Sequence, residues 1–204
     1  MSQIRVLVVE DEPLIADDIK EFLTNADYFV TAIAYDKEDA LEALEATKPD
    51  IALLDINLGN NMDGFVIAET INKSYQIPFI YLTSYSSKHI VDQAKHTRPM
   101  GYIVKPFDEG DLFSSIEVAL YNHSQLHKPK YFSRESINKQ IHTDLTAKEF
   151  EILQDLYEGK TNKQMAEKHF VSVNTIKSHV QKMYDKMDTH TRSETIAAIR
   201  KYLN

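Results

Sequence analysis

The first 122 residues alternate short apolar runs with stretches in which apolar side chains recur every three or four positions. The runs are rich in β-branched residues and almost unbroken by polar ones, which is typical of strands covered on both faces of a parallel sheet. The five runs are Ile4–Val9, Phe29–Ala34, Ile51–Leu54, Phe79–Leu82 and Tyr102–Val104. The windows between and after them have helical spacing. This alternation predicts an α/β domain built on a doubly wound, five-stranded parallel sheet.

The final 61 residues, 144–204, instead show closely spaced helix start signals. Capping boxes at Thr146 and Thr161 predict two helix starts, and Gly159 is placed to end the first helix. Ser172 is the predicted cap of a third helix, and a fourth is predicted from about Ser193. The apolar faces of the first and third helices are expected to consist of Phe150, Leu153, Leu156, Ile176, Val180, Met183 and Met187, and the last helix carries Ile196, Ala197 and Ile199. This pattern predicts a small all-α domain of four helices that contains a helix-turn-helix unit.

The stretch between these two patterns is polar and has no sustained period. We therefore predict three parts: a first domain over residues 1–122, a linker over 123–143 and a second domain over 144–204.

Composition and charge separate the two domains further. Residues 1–125 hold 9 Lys and Arg against 21 Asp and Glu, whereas residues 126–204 hold 14 against 10. Only the basic second part suits a polyanionic partner. The chain has no Cys and no apolar run long enough to cross a bilayer, and its first residues lack the basic leader of a signal peptide. These features predict a cytoplasmic protein that does not bind membranes.

Polar side chains follow four of the predicted strands. Glu10 and Asp11 follow the first strand, Asp55 the third, Thr83 the fourth and Lys105 the fifth. In an open parallel sheet the carboxyl ends of the strands share one edge, where ligands bind. Clustered carboxylates need a cation, and hard oxygen ligands suit Mg²⁺. The sequence therefore predicts a magnesium-assisted phosphoryl site in which a carboxylate can be the nucleophile. Singly, these residues would indicate only a helix cap, a loop hydroxyl and a solvated charge.

Four stretches carry a family resemblance: VLVVEDEP (6–13), LLDINL (53–58), YLTS (81–84) and GYIVKPF (101–107). With them the first 120 residues resemble the flavodoxin-like receiver domain of bacterial two-component response regulators. The resemblance implies that Asp55 accepts a phosphoryl group from a phosphohistidine of a sensor histidine kinase. It also implies that the backbone carbonyl of Asn57 joins Glu10, Asp11 and Asp55 around Mg²⁺.

The same resemblance implies further roles at the strand ends. Thr83 is expected to turn toward the phosphoryl group, Tyr102 to change rotamer with it, and Lys105 to pair with the acidic residues. The Lys105–Pro106 bond is expected to be cis. Two stretches depart from the family pattern: residues 58–61, where relatives often have a proline after the leucine, and residues 97–101, where a turn of small residues is commoner.

The second domain resembles the DNA-binding domain of the LuxR/NarL family. The match rests on LTAKEFEIL (145–153), GKTNKQMAEKHFVSVNTIKSHV (159–180) and the Lys186-Met187 pair. His169 stands where the family usually has leucine, and we expect it to be a partly buried structural residue rather than a ligand.

The third helix of this domain is the expected reader of DNA. With its apolar stripe against the core, its outward face carries Asn174, Lys177, Ser178, Gln181 and Lys182. Lys177 can donate to guanine or to a phosphate, and Gln181 can pair with adenine. The alternative interpretation is an ordinary solvated helix face.

Together these features predict a phosphorylation-dependent transcriptional regulator that binds promoter DNA, as a homodimer when phosphorylated. It is expected to be no enzyme beyond self-catalysed phosphorylation and dephosphorylation. Two other functions stay open: a small-molecule phosphatase with an aspartyl-phosphate intermediate, and an interaction module that works without phosphorylation. Turnover of small phosphoesters would favour the first of these, and failure to bind DNA in any state would favour the second.

Overall fold

A computed structural model describes residues 3–59, 61–84, 88–130 and 132–203 of the chain, and for residues 88 and 89 it describes the backbone alone. The chain divides into two compact units. One is Arg5–His123, and the other joins Met1–Ile4 with Ser124–Asn204. None of the helices within the described ranges is long and apolar enough to cross a membrane.

The first unit contains the predicted parallel sheet. Its strands are β1 (Ile4–Val9), β2 (Tyr28–Ala34), β3 (Ile51–Asp55), β4 (Phe79–Thr83) and β5 (Gly101–Val104). Their order in the sheet is β2-β1-β3-β4-β5, and β1 pairs in parallel with β3, β3 with β4, and β4 with β5. The α/β class predicted from the sequence is confirmed. The end of β3 at Asp55 and the end of β4 at Thr83 each lie one residue beyond the predicted ends.

Five helices connect and follow these strands. They are α1 (Pro13–Asn25), α2 (Lys37–Thr47), α3 (Asp63–Thr70), α4 (Lys88–His96) and α5 (Glu109–Leu126). A π-helical turn, Ile71–Tyr75, continues α3. The sequence periodicity did not predict this turn. β3 and β4 are buried along their whole length. Strands that are buried on both faces of the sheet consist of nearly continuous apolar residues. Polar side chains can therefore gather beyond the carboxyl ends of the strands, at the edge of the sheet where ligands bind.

The second unit is helical. Its helices are α6 (Arg134–Asn138), α7 (Ala147–Tyr157), α8 (Asn162–His169), α9 (Val173–Met187) and α10 (Arg192–Leu203). Both predicted capping boxes are formed, with Thr146 paired to Glu149 and Thr161 paired to Gln164. Ser172 caps α9 by accepting a hydrogen bond from the Thr175 amide. Each cap satisfies backbone donors that would otherwise lack a partner at the helix start.

The core of this unit is formed by the predicted stripe of α9 together with residues of α7, α8 and α10. On α10, Ile199 is buried, Ile196 and Ala198 pack against the core, and Ala197 is exposed. The segment predicted to be a linker also contains regular structure: α5 runs on to Leu126, and α6 lies within it. Ile137 of α6 is fully buried, which explains why this short helix is ordered. Between α8 and α9, Phe170 is almost fully exposed.

Candidate functional site

The carboxyl edge of the sheet brings together the charged residues that the sequence singled out. Glu10 follows β1, Asp55 ends β3, and Lys105 follows β5. The Lys105 Nζ lies 2.6 Å from the nearest carboxylate oxygen of Glu10 and 2.6 Å from Oδ2 of Asp55. All three side chains are nearly excluded from solvent. A single ammonium group therefore bridges two buried carboxylates that come from different strands.

Asp11 completes an acidic cluster at this edge. One carboxylate oxygen each from Glu10, Asp11 and Asp55 lies within 4.8 Å of the others. Asp11 is half-buried, so the cluster opens toward solvent on its side. Three carboxylates facing one ammonium leave a formal surplus of two negative charges. Such a cluster of hard oxygen ligands fits Mg²⁺, which favours carboxylates and keeps several waters.

Backbone amides fix the orientation of two of these carboxylates. The Asn57 amide donates to Oδ1 of Asp55 at 2.9 Å, and the Gly59 amide donates to Oδ2 of Asp11 at 2.9 Å. Gly59 adopts a positive φ of 57°, and Leu58 and Asn61 pair across the turn. The loop that departs from the family pattern is therefore a tight turn tied to Asp11, although Asn60 lies outside the described residues.

The pKa values of Glu10 and Lys105 both shift in this buried cluster. Burial raises the pKa of Glu10 to about 7, although hydrogen bonding and charge from Lys105 oppose the rise. Burial would lower the pKa of Lys105, but hydrogen bonds to Asp55 and Glu10 outweigh it, and the net shift is upward. Lys105 is therefore charged at neutral pH and supplies the positive charge of the described site.

Thr83 and Tyr102 lie beside the acidic cluster on β4 and β5. Thr83 is fully buried, and its backbone carbonyl accepts a hydrogen bond from the Lys105 amide at 2.8 Å. Tyr102 is half-buried and stands opposite Tyr81 across the β4–β5 pair, with the ring centroids 6.5 Å apart. The Lys105–Pro106 peptide bond is cis, as the family resemblance implied.

Gly64 is a site residue that sequence reasoning missed. It lies in the first turn of α3, where a Cβ atom would meet the carbonyl oxygen of Asp55 at 2.2 Å and the Cα of Ile56 at 2.7 Å. The Gly64 amide also donates to the Ile56 carbonyl at 3.2 Å. Only glycine allows α3 to approach the end of β3 this closely. The signal was the single Gly near the start of a predicted helix, directly after an Asp.

In the second unit, the predicted DNA-facing residues lie along the solvent side of α9. Asn174, Lys177, Ser178, Gln181 and Lys182 are all exposed. Two of them have partners on the same helix: Gln181 Nε2 donates to Asp185 Oδ1 at 2.9 Å, and Ser178 Oγ donates to the Asn174 carbonyl at 3.0 Å. The structure thus places the five side chains on one accessible face of a helix with a buried opposite face.

His169 belongs to a buried ion cluster that the sequence did not reveal. Its Nε2 lies 2.7 Å from Oδ2 of Asp155 on α7, and Lys160 and Lys168 both donate to Oδ1 of the same carboxylate. Asp155 and the His169 side chain are buried. Burial alone would raise the pKa of Asp155, but the hydrogen bonds from Lys160, Lys168 and His169 outweigh it, so the net shift is downward. The predicted partial burial of His169 is confirmed, and its partner is a carboxylate rather than an apolar surface.

Comparisons with known protein families match both units. Residues 6–117 match the family model described as response regulator receiver domain, and residues 143–199 match the one described as bacterial regulatory proteins, luxR family. Both family resemblances drawn from the sequence are thereby confirmed.

Several curated proteins are similar to this chain. The transcriptional regulatory protein PdtaR of Mycobacterium tuberculosis is 36% identical over 116 residues, which span 57% of this chain and 56% of that protein. The chain thus spans about half the length of this relative. The response regulator protein VraR of Staphylococcus saprophyticus is 28% identical, and the alignment covers 95% of this chain and 94% of that protein. LiaR of Bacillus subtilis, a transcriptional regulatory protein, is 28% identical with 94% of both chains covered.

Solved structures agree with the fold of the first unit. A signal receiver domain of a modulated diguanylate cyclase from Desulfovibrio desulfuricans G20 is 31% identical, with a TM-score of 0.57, covering 61% of this chain and 99% of that chain. A CheY-like receiver domain protein from Methanospirillum hungatei JF-1 is 27% identical, with a TM-score of 0.56, covering 61% of this chain and 99% of that one.

Proposed function

The chain belongs to the response regulator receiver domain family and carries a LuxR-family DNA-binding domain, and from this premise we propose that phosphorylation of Asp55 controls its binding to promoter DNA. Residues 1–122 act as the receiver, residues 123–143 connect the two domains, and residues 144–204 bind DNA. The observation that carries the proposal is the buried contact of Lys105 with both Asp55 and Glu10, with Asp11 alongside.

The chemistry proposed for Asp55 is nucleophilic. A carboxylate oxygen of Asp55 forms a bond to phosphorus while the P–N bond to a histidine of the sensor kinase breaks, and the electron pair of that bond stays on the imidazole nitrogen. Glu10, Asp11, Asp55 and the Asn57 carbonyl are the proposed Mg²⁺ ligands. When bound, Mg²⁺ supplies positive charge that offsets the charge of the phosphoryl oxygens.

The other residues at the edge act on the product of this step. Lys105 already touches Asp55, so its ammonium is placed to pair with a phosphoryl oxygen on that carboxylate. The Thr83 hydroxyl turns to donate to another phosphoryl oxygen, and Tyr102 follows into the space that Thr83 leaves. The new charge and acceptor oxygens thereby shift a two-state equilibrium of the receiver toward the form that dimerises and binds DNA.

Phosphodonor labelling tests this proposal. Phosphoramidate with Mg²⁺ should add one phosphoryl group to the full chain by intact mass, and the Asp55→Asn variant should take up none. Asp155→Asn is the matched control, because it neutralises an equally buried aspartate in the other unit and should label like the wild type. Equal labelling of Asp55→Asn and the wild type would reject Asp55 as the acceptor.

DNA recognition is tested separately, with α9 as the proposed reader. We propose that Lys177 and Gln181 contact base edges and that Lys182 contacts a phosphate, with Asn174 and Ser178 lining the same surface. A dimer should select an inverted repeat with half-site centres about 10 base pairs apart, found by selecting bound genomic fragments with and without phosphodonor.

Alanine variants of α9 then separate the two kinds of contact. Lys182→Ala should reduce the slope of log affinity against log salt by about one unit on any DNA, because one phosphate contact is lost. Lys177→Ala and Gln181→Ala should each cost about 1–3 kcal/mol on the selected site and relax preference at one position. Unchanged affinity and preference in both variants would show that this face is merely solvated.

A further inference from the structure

A buried hydrogen bond links β4 to the end of α4. The hydroxyl oxygens of Tyr81 and Thr97 lie 2.8 Å apart, and both residues are buried. The Thr97 hydroxyl donates its proton to the Ala94 carbonyl at 2.7 Å, so Tyr81 must be the donor to Thr97. Burial raises the pKa of Tyr81, which keeps its hydroxyl protonated as this role requires.

Thr97 opens the stretch at residues 97–101 that departs from the family pattern. Besides the hydroxyl contacts, its amide donates to the Ala94 carbonyl, and its own carbonyl accepts a hydrogen bond from the Asn72 side chain in the π-helical turn. Arg98, which follows, has a positive φ of 54°. The C-terminal end of α4 is therefore bound to β4 through the Thr97 hydroxyl and to the π-helical turn through the Thr97 carbonyl.

Tyr81 contacts Tyr102 and shares a strand face with Thr83, the two residues that we assign to the switch. It stands two positions before Thr83 on β4, so both side chains leave the strand on the same face. It is paired with Tyr102 across the β4–β5 ladder, and the two rings meet edge to face. One tyrosine thus touches Tyr102 with its ring and the end of α4 with its hydroxyl.

We propose that Tyr81 and Thr97 are positioning residues of the phosphorylation switch: their hydrogen bond fastens the end of α4 to the strand face that carries Thr83 and Tyr102, and it stabilises the unphosphorylated arrangement. The inference rests on the proposed function. The bond joins the end of α4 to Tyr81, whose ring packs against Tyr102. A rearrangement of Thr83 and Tyr102 therefore disturbs the contacts of Tyr81, and removing the bond favours the phosphorylated arrangement.

The matched pair Thr97→Val and Thr47→Val tests the proposal. Thr47 ends α2, donates to the Ala43 carbonyl at 2.7 Å and lies 3.1 Å from the Thr31 hydroxyl on β2, so it repeats the geometry of Thr97 away from Tyr102. In the full chain carrying ¹³C-labelled tyrosine, NMR follows the Tyr102 ring, whose signal is assigned by its loss in Tyr102→Phe. Intact mass of the same samples reports phosphorylation.

Without phosphodonor, the Tyr102 signal of Thr97→Val should lie closer to its position in the phosphorylated wild type. The ratio of the two states should change by about fivefold, the effect expected for one net hydrogen bond. Thr97→Ser keeps the hydroxyl and should restore the wild-type position, and Thr47→Val should not move it. If Thr97→Val loses its folded circular-dichroism signal, Tyr81→Phe, which removes only the hydroxyl, takes its place with the same expectation.

Four results would overturn the inference. An unmoved Tyr102 signal in Thr97→Val and Tyr81→Phe would make the bond purely structural, as would an equal shift in Thr47→Val. A wild type that is phosphorylated on Asp55 without any movement of Tyr102 rejects the coupling while leaving Asp55 as the acceptor. A wild type that takes up no phosphoryl group instead rejects the proposed function, and the inference with it.

Discussion

Two buried ion clusters, one in each unit, shift the pKa of a buried carboxylate in opposite directions. In the first unit, Glu10 and Asp55 share one ammonium, that of Lys105, and Asp11 adds a third carboxylate. In the second unit, Asp155 receives two ammonium groups and an imidazole, and one of these ammonium groups, that of Lys160, also pairs with Glu158. Glu10 and Asp155 are equally excluded from solvent, yet the pKa of Glu10 is raised to about 7 and that of Asp155 is lowered.

Burial acts to raise the pKa of both acids, and the net directions differ because Asp155 receives hydrogen bonds from three side chains whereas Glu10 shares one ammonium with Asp55. A carboxylate with several charge-assisted hydrogen bonds is held in its ionised form and fastens helices together. Carboxylates that outnumber their donors repel each other, and their net negative charge favours the binding of a cation. The second cluster therefore contributes stability. The first cluster has a surplus of negative charge, as expected for a site that we propose binds a cation and a phosphoryl group.

The largest expected effect is on metal binding by the first cluster. Asp11→Asn should weaken Mg²⁺ binding to the full chain by about 100-fold, because one charged ligand is lost. Replacing a residue that only hydrogen-bonds a metal ligand already lowers metal affinity by about 10–100-fold. Isothermal titration calorimetry measures this change, with Asp155→Asn as the control that should bind Mg²⁺ like the wild type. A similar affinity in Asp11→Asn and the wild type would remove Asp11 from the ligand set.

The next effect is on the stability of the second unit. Asp155→Asn should lower its free energy of unfolding by about 2–3 kcal/mol at pH 7, because Lys160, Lys168 and His169 lose the buried carboxylate to which all three are hydrogen-bonded. Since the pKa of Asp155 is lowered in the folded state, this contribution is present above the unfolded value of 3.8 and is lost as pH falls through the lower folded pKa. The difference between wild type and variant should therefore shrink in acid.

Urea unfolding with amide hydrogen exchange resolves that loss by unit. Exchange should quicken in α7 and α8 while the amides of β3 and β4 stay protected. A constant difference from pH 7 down to the acid limit would show that geometry rather than charge makes Asp155 important.

The smallest effect concerns the individual donors of the second cluster. Lys160→Met should cost less than about 1 kcal/mol, because Lys168 and His169 still serve Asp155 and a partly exposed ammonium contributes little. Thermal unfolding of Lys160→Met, Lys168→Met and the double variant measures whether the two losses add. A double variant that loses much more than the sum would confirm that either ammonium suffices; simple additivity would contradict the shared arrangement.

The strand pattern and the chemistry at the strand ends were readable from the sequence, because a sheet covered on both faces requires nearly continuous apolar runs. The same holds for the caps at Thr146, Thr161 and Ser172, which are local signals. These features need no knowledge of how distant segments pack. They gave the fold class and brought Glu10, Asp55 and Lys105 to one edge.

The features that the sequence did not yield depend on packing between distant segments. In the sequence, Asp155 resembles any charged residue on an amphipathic helix. Its hydrogen-bond donors lie on α8 and on the loop before it, and they reach Asp155 only because α8 packs against α7. Gly64 is informative only once α3 is known to touch the carbonyl of Asp55. Ile137 likewise orders α6 through burial in a core formed mostly by residues beyond it in the chain.

The sheet order also sets the kinetic character of each unit. Val6 on β1 pairs directly with Ile51 on β3, and the chain between them in sequence, which forms α1, β2 and α2, must be closed into a loop. The entropy of this loop is lost before the pairing contributes any stability. The capped helices of the second unit need only neighbouring residues to begin. In a refolding experiment the amides in the helices of residues 147–187 should therefore become protected from hydrogen exchange first. The amides of the parallel strands should become protected later, once the strands have paired in register.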